Sequence, residues 1–497
     1  MGFIHDGTLI SLILGHLLCI VLGWVAWQRF VALSDIPGPF WASVTRLWHA
    51  KQIRDGRQMD AILKLHDELG PFVRIAPDEV SVTHPEGVRK LLIDPLRKGY
   101  WYETLTFPDS TYRPAISIVD VKEKNERSRL LASAYATSSI LHSEHALDRQ
   151  IELLLKWMEN YAASSKPMQL SEFFTFTAYD IMGEVMFSKP FGFLEQGSDI
   201  EDSLRQGLEF GSYAAILPYF PWLQRILVSP RIASLKLLPF NFIVRRSINA
   251  LNERKSNPDA RYDYVAHWLK THQKHPDRLT AKDVQAAVTT NVSAGADTVS
   301  CALQSFVYHA IRHPTAWQRV RDEIAEAMKE GHCQGDVISF ADAQKLPYLQ
   351  ACIKESLRIF VPASIGLPRV VPEGGITIGE RTFAAGTMLS LYLPGIMLSK
   401  DIWGKDAESF RPERWMDADS AALEKYFIPF GLGYNSCAGQ NLARIELSKI
   451  LPTLVRDFDV EQVNPNQEWS YKPYVTVVPG GWPVYIKRRG AADSKHT

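Results

Sequence analysis

The sequence has 497 residues, of which 46% are hydrophobic, and it carries 55 basic and 55 acidic side chains. Its length alone predicts about three domains of ~150 residues each. The formal net charge of zero argues against a nucleic-acid-binding protein, because such proteins normally carry a basic excess. The five cysteines include no CxxC pair, which argues against a disulfide framework or a zinc module and indicates a reducing compartment.

The N-terminus predicts a membrane anchor. Leu9–Trp27 is a run of 19 residues without a charged side chain, and as a helix it would span roughly 28 Å, close to the hydrocarbon thickness of a bilayer. A cleaved signal peptide is the alternative, but no Lys or Arg precedes the run, and Trp24-Val-Ala-Trp27 is a poor cleavage site. Arg29 and Arg46 follow the run, so the positive-inside rule places the rest of the chain in the cytosol.

After the anchor, residues 1–30, the patterns predict a mainly helical protein with small sheets. Ile36-Pro-Gly-Pro39 ends the anchor helix. Helices are predicted at Thr280–Arg312, at Leu346–Phe360 and from just after Cys437 to Asp457. Short strands are predicted at Val73–Ile75, Val80–Thr83, Gly375–Ile378, Met388–Tyr392 and Tyr474–Val478. No repeat or long linker interrupts residues 31–497, which we interpret as one catalytic domain despite their length.

The strongest chemical motif is Phe430-Gly-Leu-Gly-Tyr-Asn-Ser-Cys437-Ala-Gly439. A cysteine at the start of a helix meets free N–H groups and a partial positive charge, which favour the metal-binding thiolate. Gly431, Gly433 and Gly439 lack side chains, so the backbone can lie flat against a large planar cofactor. The alternative is that Cys437 is a small buried hydrophobic residue, as most single cysteines are.

This motif resembles the pattern Phe-x-x-Gly-x-x-x-Cys-x-Gly of the cytochrome P-450 family, through Phe430, Gly433, Cys437 and Gly439. The resemblance implies the family's fold and a haem b cofactor whose iron is ligated by the Cys437 thiolate. One position departs from the family. Where most members have Arg or His near a haem propionate, this chain has Asn435, so the positive charge there must come from elsewhere or be absent.

A second motif is the pair Glu355 and Arg358, which are neighbours on a helix at spacing i, i+3. Such a pair is usually a solvated surface pair that contributes little. Downstream, Phe410-Arg-Pro-Glu-Arg414-Trp resembles the family's PERF motif. The resemblance implies a buried triad of Glu355, Arg358 and Arg414 that fixes the cysteine loop.

The third motif, Ala294-Gly-Ala-Asp297-Thr298, lies half-way along the long predicted helix. Asp, Thr and Gly are all mediocre helix formers, and the alternative is a helix bend at which Thr298 bonds back to the preceding turn. The motif matches the family pattern [Ala/Gly]-Gly-x-[Asp/Glu]-Thr. The match implies a groove widened by Gly295, in which Asp297 and Thr298 relay protons to bound oxygen.

Three arginines are candidates for the haem propionates. Arg369 follows the Glu355 helix at about the family spacing for such a ligand. Arg127 or Arg129 falls where family members carry Trp or His followed by Arg, and we take Arg129 as the candidate. A solvated helix is the alternative for that stretch.

The resemblance implies a monooxygenase that uses O2 and external electrons. The sequence has no GxGxxG after a strand and no P-loop, so we expect no NADPH site in this chain. For an N-terminally anchored member, the family precedent is NADPH–cytochrome reductase on the endoplasmic reticulum membrane. The alternatives are a haem-thiolate isomerase or dehydratase without a reductase, a non-enzymatic haem protein, and a membrane protein without a cofactor.

The substrate is predicted to be an apolar small molecule. Candidate pocket segments are Tyr100–Ile118, Val288–Ala294, Ala363–Leu367 and Val475–Val478. The proline-broken apolar run Ala215–Leu223 is either a packed loop or a membrane-facing ligand entrance. The overall texture resembles filamentous-fungal members of specialised metabolism, the pisatin demethylase-like group.

Overall fold

The computed structural model describes residues 3–30, 33–235, 238, 241–257 and 261–490. The chain is mainly helical, as predicted. Its helices of eight or more residues are α1 Phe3–Phe30, α2 Leu47–Arg54, α3 Gln58–Leu69, α4 Val121–Leu131, α5 Glu144–Ser164, α6 Leu170–Phe187, α7 Ser203–Ile216, α8 Asn241–Ser256, α9 Tyr264–Lys274, α10 Ala281–Arg312, α11 Pro314–Lys329, α12 Pro347–Ile359 and α13 Gln440–Asp457. Shorter helices occupy Phe40–Val44, Pro85–Val88, Thr137–Leu141, Phe193–Gln196, Pro221–Leu227, Pro230–Ala233, Phe340–Ala343, Leu393–Met397, Lys400–Trp403 and Ser420–Leu423.

The strands form small sheets. They are β1 Phe72–Ala76, β2 Glu79–Val82, β3 Gly366–Val370, β4 Ile376–Ile378, β5 Arg381–Phe383, β6 Met388–Tyr392, β7 Phe458–Gln462, β8 Ser470–Pro473, β9 Val477–Gly480 and β10 Val484–Arg488. The largest has the order β1-β2-β6-β3. In it β2 runs parallel to β6, with Glu79 opposite Met388, and β3 is antiparallel to β6. The predicted strand Tyr474–Val478 begins too early, because the chain turns between β8 and β9 before pairing.

The core is organised around α6 and α10, which pack along each other. Nearly every residue of α6 is buried, and the C-terminal half of α10 is buried from Val299 to Tyr308. Thr280 caps α10, because its hydroxyl accepts the N–H of Asp283 at 3.2 Å while the Asp283 carboxylate accepts the N–H of Thr280 at 2.8 Å. This reciprocal capping box fixes the start of the helix that carries Asp297.

The N-terminal helix α1 covers the predicted anchor. Its described side chains from Ile13 to Trp27 are almost all exposed. Within the described part of the chain, however, no helix combines the length and hydropathy needed to cross a membrane, so a transmembrane anchor is not supported by the structure. Residues 1–2, 31–32 and 491–497, which bound the two predicted segments, lie outside the described residues.

Candidate active site

The cysteine loop ends where α13 begins. The N–H of Cys437 donates to the carbonyl of Phe430 at 2.8 Å and closes the loop. Cys437 is exposed, yet burial raises the pKa of its thiol, against the lowering effect of the Gly439 and Gln440 N–H groups and of Arg444. The helix start thus acts in the predicted direction but does not outweigh burial. The thiol is therefore accessible although protein atoms surround it.

The loop glycines have different surroundings. Gly433 has a φ of +64°, and a Cβ there would lie 2.2 Å from the carbonyl oxygen of Leu92, so only glycine fits. At Gly439, among the described residues, a Cβ would meet only the sulfur of Cys437, at 4.0 Å. The backbone beside the thiol therefore leaves room for a planar group. The predicted reason for Gly433 is wrong, because the backbone at Leu92 already fills the space.

Asp297 and Thr298 lie in the middle of α10. Thr298 Oγ1 donates to the carbonyl oxygen of Ala294 at 2.9 Å, which is the backbone contact expected of a helical threonine. Burial raises the pKa of Asp297 to about 6. Ala294 is exposed although Val292 and Ala296 on the same helix are buried, so this turn of α10 borders an interior space. A partly protonated carboxyl and a hydroxyl thus stand side by side there.

Gly295 faces α6 and not the open groove predicted for it. A Cβ at this position would lie 2.1 Å from Cε of Met182, and Met182 belongs to the buried surface of α6. The glycine makes room for the end of the Met182 side chain between the two central helices. The predicted widened groove at Gly295 is therefore wrong, because the methionine occupies that volume.

A mainly apolar cavity of ≈ 120 Å³ lies beside this turn of α10. Asp297 and Ala294 contribute to its wall together with residues of α7 and of the segment before β9. The lining residues are Leu105, Phe107, Ile116, Gly207, Leu208, Phe210, Gly211, Ala214, Thr290, Ser293, Ala294, Asp297, Tyr474, Val475, Thr476 and Val478. Three of the four predicted pocket segments contribute; Ala363–Leu367 does not line this cavity.

The three residues predicted to form a triad meet in the structure. Arg358 Nη2 and Arg414 Nε each donate to Glu355 Oε1 at 2.9 Å, and all three side chains are at most 1% exposed. Trp415 Nε1 donates to the other carboxylate oxygen at 2.9 Å. The arginines also donate to backbone carbonyls at Met397, Trp403, Asp406, Ala407 and Ser409. We call Glu355, Arg358 and Arg414 the Glu355 triad; it joins α12 to the chain that leads to the cysteine loop.

Arg369 and Asn435 present unsatisfied donors. Arg369 is fully buried on β3, and its Nη1 donates to the Pro368 carbonyl at 3.0 Å. Among the described residues, Nε and Nη2 of Arg369 and Nδ2 of Asn435 have no hydrogen-bond partner. Buried donors are rarely left unpaired. Together with the accessible Cys437 and the open backbone at Gly439, they fit a planar cofactor that carries acidic groups.

Arg129 does not contribute to this site. Its side chain is exposed on α4, and Arg127 pairs instead with Asp283 at 2.5 Å. The prediction that Arg129 contacts the cofactor is wrong, because helical periodicity turns the position to solvent. The buried cation of α4 is Lys124, whose Nζ donates to the carbonyl of Tyr434 in the cysteine loop.

Sequence reasoning missed Lys124, Lys98 and the whole contribution of α7. Lys124 stands among charged residues, a composition that is typical of a solvated helix. On α7, Gly207 and Gly211 are one turn apart and both line the cavity. Two glycines at spacing i, i+4 destabilise a helix unless they serve packing. This pair was therefore the signal in the sequence that α7 lines the cavity.

Comparison with known proteins agrees with the geometry. The family model described as Cytochrome P450 matches residues 37–479. A cytochrome P450 monooxygenase of Aspergillus flavus is 28% identical over 97% of this chain and 98% of its own length. Pisatin demethylase of Fusarium vanettenii is 29% identical, covering 92% and 90% of the two chains. The cytochrome P450 monooxygenase hepC of Aspergillus oryzae is 31% identical, covering 91% and 92%.

Proposed function

Because the chain belongs to the cytochrome P450 family and is similar to its fungal monooxygenases over nearly its whole length, we propose that it uses O2 to oxidise an apolar small molecule of fungal secondary metabolism. The observation that carries this proposal is the accessible thiol of Cys437 at the end of the glycine loop, beside the open backbone at Gly439. A lone structural cysteine would be expected in a packed apolar environment without access.

The family implies haem ligated by a cysteine thiolate, and this chain offers the residues to hold it. Cys437 supplies the sulfur, Gly439 leaves space beside it, and Arg369 supplies unpaired donors for acidic groups. Phe430 lies under the guanidinium of Arg444, 5.3 Å from its ring centre, which supports the loop. When bound, haem supplies reductive activation of O2, favoured by the electron-rich thiolate.

Asp297 and Thr298 are proposed to move protons toward the oxygen site. With a pKa raised to about 6, the Asp297 carboxyl exists in both protonation states near neutral pH, which suits a group that must both take up and deliver protons. The Thr298 hydroxyl can exchange its bond to the Ala294 carbonyl for one to a water molecule. Both roles involve one turn of α10.

The Glu355 triad has a structural role in this proposal. It holds the segment between Met397 and Trp415 through buried, charge-assisted hydrogen bonds. Such bonds are stronger than neutral ones. The triad therefore fixes the chain that leads into the cysteine loop without touching the reacting atoms.

The substrate is proposed to be apolar and to bind in the cavity beside Asp297. Phe107, Phe210 and Tyr474 line it with aromatic surface, and Gly207 and Gly211 widen it on the α7 side. Burial of apolar surface contributes about 25 cal/mol per Å², so such a wall favours a hydrophobic molecule.

Electrons are proposed to come from NADPH–cytochrome reductase, with the protein attached to the cytosolic face of the endoplasmic reticulum. The exposed apolar side chains of α1 support membrane contact, as do Phe40, Trp41 and Trp222, which are 48%, 63% and 65% exposed. Exposed apolar patches of this kind mark interaction surfaces. Deleting residues 1–30 should reduce co-sedimentation with microsomes; unchanged sedimentation would remove α1 from the attachment.

The decisive experiment replaces the ligand. Cys437→Ala should abolish the red-shifted Soret band of the reduced carbon monoxide complex, which reports thiolate ligation. Cys19→Ala, at an exposed cysteine of α1, is the matched control and should retain the band. A retained band in Cys437→Ala would refute the proposed ligand.

A second candidate is a haem-thiolate isomerase or dehydratase that needs no reductase. Asp297 and Thr298, which are adjacent on α10, favour O2 chemistry. Activation of O2 needs a supply of protons, whereas an isomerase or dehydratase has no need of such a relay. NADPH consumption with reductase, substrate-dependent and matched to O2 uptake, distinguishes the two. Turnover without NADPH would favour the isomerase.

A further inference from the structure

Three cations are buried together next to the cysteine loop. They are Lys98, Lys124 and Arg369, with exposed fractions of 2%, 8% and 0%. Lys98 pairs with Arg369 in an antiparallel backbone bridge, and Lys124 reaches the loop through the Tyr434 carbonyl. We call these three residues the cation cluster.

The cluster contains no negative partner. Lys98 Nζ donates to the carbonyls of Ile116 at 2.5 Å and Ala115 at 3.5 Å, and Arg369 uses one of its three nitrogens on carbonyl and phenol oxygens. In the part of the chain that the structure describes, no carboxylate forms an ion pair with any member, and two Arg369 nitrogens have no partner.

Burying like charges side by side is costly. Desolvation, Lys124 and Arg369 lower the pKa of Lys98 to about 6, and desolvation and Arg369 lower the pKa of Lys124 to about 8. A fold tolerates such an arrangement when a bound anion compensates it, because a buried charge without a partner strongly destabilises a protein. The cluster therefore indicates an anionic ligand at this place.

The position of the cluster identifies that ligand's chemistry. Tyr434, which Lys124 contacts, lies three residues before Cys437. Haem ligated at Cys437 brings two carboxylates on its edge. We propose that Lys98 and Lys124, together with Arg369, bind the haem propionates and supply the positive charge that Asn435 does not. This inference rests on the proposed haem-thiolate function.

Asn435 completes the arrangement as a neutral donor. Its Nδ2 has no partner among the described residues, and it follows Tyr434 directly. It can donate to a carboxylate oxygen but cannot neutralise it. The positive charge that Asn435 does not supply is instead offered by α4 and by the segment before Tyr100, which are separate in sequence.

The test compares Lys98→Met and Lys124→Met with Lys122→Met, an exposed lysine on the same helix as Lys124. Each holoprotein is mixed with excess apomyoglobin and the rate of haem transfer is followed. A charge-assisted hydrogen bond contributes roughly 1.5–3 kcal/mol, so each cluster variant should release haem at least about tenfold faster than the control. Lys122→Met should match the wild type.

A second readout separates charge from folding. Removing a cation near the iron favours the ferric state, so the ferric/ferrous midpoint potential of Lys124→Met should move to lower values. Lys124→Arg should restore both the potential and the release rate. Haem dimethyl ester, whose propionates are blocked, should bind wild type and Lys124→Met with the same release rate.

The carbon monoxide spectrum distinguishes a failure of the proposed function from a failure of the propionate assignment. If wild-type protein lacks the thiolate band, the proposed function fails. If the band is present in every variant but Lys98→Met and Lys124→Met release haem at the control rate with unchanged potentials, the propionate assignment is overturned and the function stands. An ester that is released at different rates from wild type and Lys124→Met would also overturn the assignment.

Discussion

The Glu355 triad and the cation cluster are both buried and differ in their balance of charge. In the triad one carboxylate accepts from two arginines, and further donors go to backbone carbonyls. In the cluster three cations share carbonyl and aromatic neighbours only, and two donors of Arg369 have no partner among the described residues. The triad is complete within the chain, whereas the cluster needs a ligand.

This difference distinguishes buried charges that stabilise the fold from buried charges that bind a ligand, and it does so without reference to the family. A compensated buried network stabilises its own geometry. An uncompensated one is destabilising until its counter-charge arrives, and so marks a site. Asp297 extends the comparison to the opposite sign, because it is a carboxyl whose pKa burial raises to about 6 with no cation as a further cause.

The largest effect is expected from breaking the Glu355 triad. Glu355→Gln removes the charge shared by Arg358 and Arg414, which leaves Arg358 without a carboxylate partner among the described residues and Arg414 with Asp406 alone, at a cost of about 3–5 kcal/mol. Urea unfolding of the holoprotein measures it. Glu123→Gln, whose carboxylate pairs with Arg113 at the surface, should change stability by at most about 0.5 kcal/mol. Equal effects would show that the triad is not special.

A smaller effect is expected from replacing Asp297, the buried carboxyl without a cation beside it in the described part of the chain. Asp297→Asn keeps the shape but cannot exchange a proton, and loss of a general acid–base group typically lowers a rate about 10²-fold or more. The fraction of NADPH electrons that appears in product, and not in peroxide, should fall. Wild-type coupling should change as pH passes through about 6, and the variant should lack that transition. Unchanged coupling would remove Asp297 from the relay.

The smallest effect is expected in how the stability of the haem-free protein depends on pH. The pKa of Lys98 is lowered to about 6 in the folded protein, against about 10.4 in an unfolded chain. Between these values the unfolded state binds more protons, so stability of the haem-free protein rises with pH, by at most about 1.4 kcal/mol per unit. Lys98→Met should flatten this slope in urea titrations at pH 7–9, as should bound haem. A slope kept by Lys98→Met would contradict this assignment.

Much of the fold was predictable, because its central elements carry strong local signals. The helix predicted at Thr280–Arg312 is observed as Ala281–Arg312 with Thr280 as its cap, and the predicted strand Met388–Tyr392 is observed unchanged. β3, Gly366–Val370, was missed because it contains a proline and acquires its identity only by pairing with β6. Non-local pairing of this kind leaves little trace in a short segment.

The residues of the candidate site also divide into those that the sequence predicted and those that it did not. The motif residues around Cys437, Asp297 and Glu355 were found because their spacing along the chain is itself informative. Lys98 and Lys124 were not, since burial of a lysine depends on what packs over it, and neither has a sequence neighbour that indicates this. Arg129 was chosen for its charge, and helical periodicity places it in solvent.

The end of the Met182 side chain occupies the space that a side chain at position 295 would need. Positions 295 and 182 therefore share one volume: a larger residue on α10 must displace the terminal methyl of this flexible methionine. Attempts to redesign the cavity by changing α10 alone would move Met182 before they reshaped the space near Asp297. Paired libraries at both positions would keep the core intact while the cavity is altered.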